Sequence, residues 1–404
     1  MNERLKALQP YPFQRLKELL SGLQPPDGLN PISLAIGEPR HPTPKFIQDT
    51  LAQNLQGLAS YPSTLGTDIL RESFVLWLNK RFGLLNLDPS LHVLPTLGSR
   101  EALFSITQVI LDPAQTSQIS LCPNPFYQIY EGATLLAGGI PWFVPCTAEN
   151  NFAPDYDTIP PHIWNRVRLL YVCSPGNPSG HVMTLAEWGK LFELSDRYQF
   201  TIVSDECYID IYPTDKTPPL GGLEAAYRLG RTQFNRLVSL FSLSKRSSVP
   251  GLRSGFIAGE ANILKQFLLY RTYHGGAMGL TIQQASAVAW SDEQHVRENR
   301  QAYSLKMDRF YDLVNPYLTL EKPDAGFYYW IKTPIDDTHF TQHLFREQGL
   351  SVLPGQYLSR IVKNQNPGHY RIRLALVGSL SETEEAAQRL IQSLHSLPSL
   401  NKES

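Results

Sequence analysis

Residues 237–255 read LVSLFSLSKRSSVPGLRSG, and the rest of the chain is best read outward from them. Positions 237–241 are mostly apolar without polar alternation, which suits a strand buried on both faces. Lys245 follows, flanked by Ser242 and Ser244, with Pro250-Gly251 and Arg253 close behind. A lysine by itself is most often surface charge. One held at the end of a buried strand is desolvated, so its pKa falls and its amine becomes a usable nucleophile. Serine hydroxyls beside an arginine fork are what a phosphate monoester needs.

Similar apolar runs lie at 119–122, 169–173, 200–203 and 255–258. Helix-like stretches at 45–55, 69–82, 99–110 and 185–198 are interleaved with them. This alternation predicts an α/β fold with a largely parallel sheet covered by helices on both sides. Ligands in such folds gather at the carboxyl ends of strands. Asn177, in the turn SPGNPSG at 174–180, and Asp205, in VSDECY at 203–208, follow the runs that precede Lys245. The first segment is a good turn in its own right. The second carries a carboxylate that is costly to bury unless it meets a cation. Gly98-Ser99-Arg100 opens a helix-like stretch, where small residues leave N–H groups free for an anion; Ser99 also reads as a plain N-cap.

At 404 residues the chain is long enough to predict two domains. Thirty-six basic and thirty-seven acidic residues leave a net charge of −1, which points away from nucleic acid as a partner. Cys122, Cys146, Cys173 and Cys207 are widely spaced and have neither disulfide nor metal-ligand patterning, so buried free thiols and no metal are expected. The first twenty residues are charged and broken by Pro10 and Pro12, unlike a secretory signal. No window approaches the roughly 20 apolar residues of a membrane span. A soluble cytoplasmic protein is the expectation. The proline-rich segment 1–45, with one amphipathic stretch at 13–23, reads as an arm that packs elsewhere, and the tail 397–404 is expected to fray.

Taken with its context, SLSKRSSVPGLRSG resembles the SxSK…GxRxG signature of class I/II aminotransferases, of the fold-type I pyridoxal-phosphate superfamily. The resemblance spans nearly the whole chain. It implies a large domain, 46–285, with a mostly parallel seven-stranded sheet between helices. An arm and part of the small domain would occupy 1–45, and a smaller α+β domain 286–404. Lys245 would hold pyridoxal 5'-phosphate as a Schiff base and shuttle the proton of the transfer. Asp205 would pair with the pyridine nitrogen. Asn177 and Tyr208 would bond to the 3-oxygen, and Tyr127 would stack on the ring. The phosphate would fall to Gly98, Ser99, Arg100, Ser242, Ser244 and Arg253. Tyr61 would reach it from the other subunit of a homodimer with shared active sites.

The implied reaction is ping-pong transfer between an amino donor and a 2-oxo acid acceptor. Gly37, in a GEP turn, would approach the substrate carboxylate. Arg371 and Arg373 share a strand face, so parity does not choose between them; the family's segment favours Arg373. Residues 33–44 carry Arg40-His41 where many relatives have D-F-x-T-P. That variant resembles the bacterial N-succinyldiaminopimelate aminotransferases of lysine biosynthesis, and Arg40 would then face a distal carboxylate, with 2-oxoglutarate as acceptor. Residues 354–359 depart from the family's PGxxFG-like turn, with Tyr357 in the place of the phenylalanine. The alternatives are an aspartate or aromatic aminotransferase, a β-lyase, and a non-catalytic regulator on the same fold.

Overall fold

The computed structural model describes residues 1–85 and 87–397; the tail from 398, where fraying is expected, lies outside them. In chain order the strands are β1 (Ile32–Ser33), β2 (Val93–Thr96), β3 (Ile119–Asn124), β4 (Ile140–Pro145), β5 (Val167–Cys173), β6 (Thr201–Asp205), β7 (Leu237–Ser242), β8 (Gly255–Gly259), β9 (Tyr328–Lys332), β10 (Leu350–Ser351), β11 (Leu353–Pro354) and β12 (Arg371–Ala375).

Seven of them form one sheet in the order β2-β8-β7-β6-β5-β3-β4. Only β8 runs against its neighbours, pairing antiparallel with both β2 and β7. Every position of β7 and β8 is buried, as their mostly apolar character predicts. The helices expected from the sequence are present as Lys45–Gln53, Asp68–Phe82, Ser99–Ile110 and Leu185–Tyr198. On one face Phe74 stacks on Phe256 at 4.3 Å, and Trp77 and Trp290 meet the same ring edge-on. Such pairs add about 0.5–1.5 kcal/mol each beyond burial.

The edge strand β4 escaped the sequence reading because Pro141 and Pro145 interrupt it. Proline removes a ladder donor, which an edge strand tolerates. The opposite edge, β2, likewise carries Pro95.

A second, antiparallel sheet runs β11-β12-β9, and β1 pairs in parallel with β10. The helices Gln294–Val314, Asp337–Gln348 and Leu380–His395 share its core through Phe310, Phe340, Leu344 and Leu390. This large sheet with a smaller antiparallel one is the fold-type I architecture. The N-terminal arm packs inward: its helix Pro12–Leu19 buries Leu16 with Ala35, Trp330 and Leu353. Arg15 lies over the ring of Tyr357 at 3.9 Å, so the departing turn at 354–359 contacts the arm. All four cysteines are free thiols, and no helix of the described residues is long and apolar enough to cross a membrane.

Candidate active site

The strands β5, β6 and β7 are adjacent and parallel, so their carboxyl ends open on the same edge of the sheet. Asn177, Asp205 and Lys245 stand just beyond those ends, or at them, and line one cavity of about 360 Å³. Ser99, Arg100 and Tyr127 line it from the side of β2 and β3; Gly37, Tyr208 and Arg373 complete the expected set found there.

Lys245 sits on the short helix Leu243–Arg246, which Ser242 caps by accepting from the Ser244 N–H at 3.2 Å. Its Nζ donates to the Gly37 carbonyl at 2.5 Å. Burial pushes the amine down to about 8; Arg373 and Arg253 act in the same direction, against Cys207 and Glu38. Asp205 is buried, with Oδ2 accepting from the Tyr130 hydroxyl at 3.1 Å and Oδ1 from the Cys207 N–H at 3.3 Å. Burial raises its carboxyl above the ordinary range despite these bonds. A dehydrated carboxylate of this kind favours a cationic partner.

Arg373 is buried at 4% exposure, and only its ends are satisfied. Nη1 donates to Asn177 Oδ1 at 2.9 Å and Nη2 to the Ala35 carbonyl at 2.8 Å, while Nε has no partner. A guanidinium can only donate, so Asn177 must turn its oxygen toward Arg373 and keep its amide N–H groups for elsewhere. Arg371, two residues away, donates to the Trp330 carbonyl, rests over Phe152 and is not part of the cavity lining.

The helix Ser99–Ile110 begins at Gly98, whose φ of 80° is in the left-handed region. A Cβ there would come within 2.5 Å of Arg253 Nη2, so only glycine allows the guanidinium this close to the helix N-terminus. Arg253 Nη2 also donates to the Leu97 carbonyl at 3.1 Å. Free helix N–H groups beside an arginine make a fitting cradle for a phosphate. Arg100 points elsewhere: its Nε donates to the Tyr127 hydroxyl at 2.6 Å and Nη2 to that of Tyr11 at 3.4 Å.

Ser242, Ser244, Gly98 and Arg253 adjoin the cavity without forming its wall, and Ser242 is occupied with helix capping. Arg40 is outside it, ion-paired to Glu382. Tyr61 is also outside and fully exposed. Other wall residues went unforeseen. Tyr11, Pro12 and Phe13 come from the arm, and Tyr328 shares a 2.8 Å hydrogen bond with Tyr208. Tyr328 also explains Gly37, where a Cβ would overlap its hydroxyl. Within the run Phe327-Tyr328-Tyr329-Trp330 it reads as core, and nothing local marks it out.

The family model described as aminotransferase class I and II matches residues 30–390. The solved aminotransferase of Neisseria meningitidis Z2491 is 48% identical, with a TM-score of 0.94 over 97% of this chain and 99% of that one. Aminotransferase AspB of Helicobacter pylori 26695 is 34% identical, with a TM-score of 0.88 over 96% and 99%. Among curated proteins, the LL-diaminopimelate aminotransferase of Syntrophobacter fumaroxidans is 31% identical over 96% of this chain and 97% of its own length. Together with the fold and the cavity beyond β5, β6 and β7, these likenesses show that the chain belongs to the class I and II aminotransferases and is a pyridoxal-phosphate-dependent enzyme.

Proposed function

We propose that Lys245 anchors the cofactor, that Asp205 pairs with its ring nitrogen, and that Arg373 receives the α-carboxylate of a diaminopimelate donor. The observation that carries this reading is Arg373 in the cavity wall beside Lys245, where Asn177 and the Ala35 carbonyl engage only two of its guanidinium N–H groups. The residues fit the cofactor: Gly98 and Arg253 form a cradle that a Cβ would fill, and Asp205 is a buried acid bonded to the Tyr130 hydroxyl and the Cys207 N–H. When bound, pyridoxal phosphate supplies the electron sink for the carbon that loses its α-proton. Tyr208 and the N–H groups of Asn177 donate to the 3-oxygen. Tyr127 supports the ring, and the N–H groups of the helix at Ser99 hold the phosphate with Arg253. Lys245 Nζ takes the proton from the donor's α-carbon and returns it later as an acid, with burial keeping its pKa near the working pH.

For the donor, the curated relatives' name supports LL-diaminopimelate; 2-oxoglutarate stays the acceptor that the sequence resemblance implies. The succinylated donor has less support, since Arg40 is paired with Glu382 rather than lining the cavity. Holoenzyme mixed with LL-diaminopimelate is expected to lose the absorbance of its lysine-bound cofactor fastest. N-succinyl-LL-diaminopimelate, aspartate and phenylalanine are the comparison donors. If aspartate or phenylalanine reacts and neither diaminopimelate does, the substrate assignment fails; pyruvate release from a cysteine conjugate would favour a lyase.

The exposed Tyr61 is assigned to the phosphate of a second subunit in a homodimer. Tyr61→Phe is expected to weaken cofactor binding about tenfold, the loss of one hydrogen bond to a charged group. Hybrids of Tyr61→Phe with Lys245→Ala subunits contain one site with both native residues. That site is expected to bind cofactor with native affinity; hybrids no tighter than Tyr61→Phe homodimers would rule sharing out.

A further inference from the structure

The turn that supplies Gly37 ends in Arg40-His41, and nothing in the chemistry above uses the histidine. His41 lies between the segment carrying Lys245 and the helix Gln294–Val314. Its Nδ1 is 2.6 Å from Asn299 Oδ1, and its Nε2 is 2.8 Å from Lys306 Nζ. Asn299 Nδ2 donates to the carbonyls of both Lys245 and Arg246 at 3.0 Å. Lys306, buried at 2% exposure, also donates to the Gly378 carbonyl at 2.8 Å. Tyr303, one helical turn before Lys306, packs on the imidazole with 4.3 Å between centroids.

These contacts allow one direction of hydrogen bonding. Two carbonyl acceptors fix the Asn299 amide with its N–H groups toward Lys245, so its oxygen faces His41. His41 must then carry its proton on Nδ1, which leaves the Nε2 lone pair for Lys306. A second proton on Nε2 would face the Lys306 amine, with Arg40 and Glu382 the other charges nearby. Burial and Lys306 both hold the imidazole below the ordinary histidine range. Lys306 is itself pushed down by burial to about 7, and in either charge state it keeps an N–H for each acceptor.

The same turn is tied to the lysine segment at further points. Ser248 Oγ donates to the His41 carbonyl at 2.7 Å, and Thr43 Oγ1 to the Ser248 carbonyl at 3.3 Å. At its other end the Gly37 carbonyl accepts from Lys245 Nζ. We propose that His41 is a positioning residue: the chain Lys306–His41–Asn299 fixes the peptide that carries Lys245 and latches it to the substrate-binding turn. The inference rests on Lys245 being the cofactor anchor. An error of about 1 Å in placing such a group costs up to roughly a hundredfold in rate.

The test uses full-length holoenzyme labelled with ¹⁵N-histidine, the His41 signals being assigned by their loss in His41→Gln. His41 is expected as the neutral Nδ1–H tautomer from pH 6 to pH 8. An Nε2–H tautomer, or titration near 6.5 as for a free histidine, overturns the proposal. His41→Ala and Asn299→Ala are expected to lower kcat roughly tenfold to a hundredfold with little change in donor KM. His41→Gln, whose amide both donates and accepts, is expected to keep kcat within about threefold of wild type. Equal losses in His41→Ala and His41→Gln, or no loss in His41→Ala, sink the idea. If His41→Ala does not fold, Lys306→Met replaces it, with the same fall in kcat expected and an unchanged kcat refuting. Borohydride trapping on the Lys245 peptide separates the two readings: if trapping fails, the anchor assignment falls while the tautomer result stands.

Discussion

Lys245→Ala is expected to lower kcat by at least about 10⁴-fold, because one residue serves as both nucleophile and proton carrier. Borohydride treatment of wild-type holoenzyme should leave a stable pyridoxyl group on the peptide containing Lys245, and the variant should carry none. A purely structural lysine would behave otherwise: its loss would lower the melting temperature and leave the adduct elsewhere on the chain. The environment also sets a pH signature. Burial disfavours the ammonium, so the neutral amine appears at lower pH than in an exposed lysine. Capture of pyridoxal phosphate by the apoenzyme should therefore rise with pH through a midpoint of about 8, against about 10.4 for an unperturbed lysine. A midpoint near the unperturbed value would mean that the amine is solvated, and the role argued from its burial would fail.

What the sequence revealed of this site follows from where its signals lie. The central strands were legible because strands buried on both faces favour apolar residues without polar alternation, and β5 to β8 are mostly apolar. Asn177, Asp205 and Lys245 were legible because each stands at such a strand's end. The edge strand β4 was not, since an edge tolerates the prolines that spoil the pattern. Tyr11, Phe13 and Tyr328 reach the cavity from distant parts of the chain, and no local spacing records a long-range contact. Arg40 is a different case. A charge beside a substrate-binding turn suggested a ligand; it is ion-paired to Glu382, on the helix Leu380–His395, and does not line the cavity. His41, its neighbour, was legible only as part of the Arg40-His41 variant of that turn, and its contacts appear only when the helix Gln294–Val314 is laid against the turn.

Arg371 and Arg373 put the sharpest question to the fold, because strand parity leaves them equivalent while the tertiary structure does not. Arg373→Ala is expected to lower kcat/KM for donor and acceptor by about 2–5 kcal/mol, roughly 30- to 5,000-fold, the cost of removing one partner from a buried charge pair. Arg371→Ala, which loses a bond to a backbone carbonyl and a contact with Phe152, should stay close to wild type. Arg373→Lys should rescue little, since a point charge cannot hold Asn177, the Ala35 carbonyl and a carboxylate in one plane. Part of the loss will be indirect: without Arg373, the Asn177 amide is free to turn its oxygen toward the cofactor. A donor amine without a carboxylate separates the two contributions. With that amine the carboxylate term disappears, so any deficit that persists in Arg373→Ala measures the misoriented Asn177. If the full deficit persists, Arg373 acts through Asn177 alone and the carboxylate assignment is wrong.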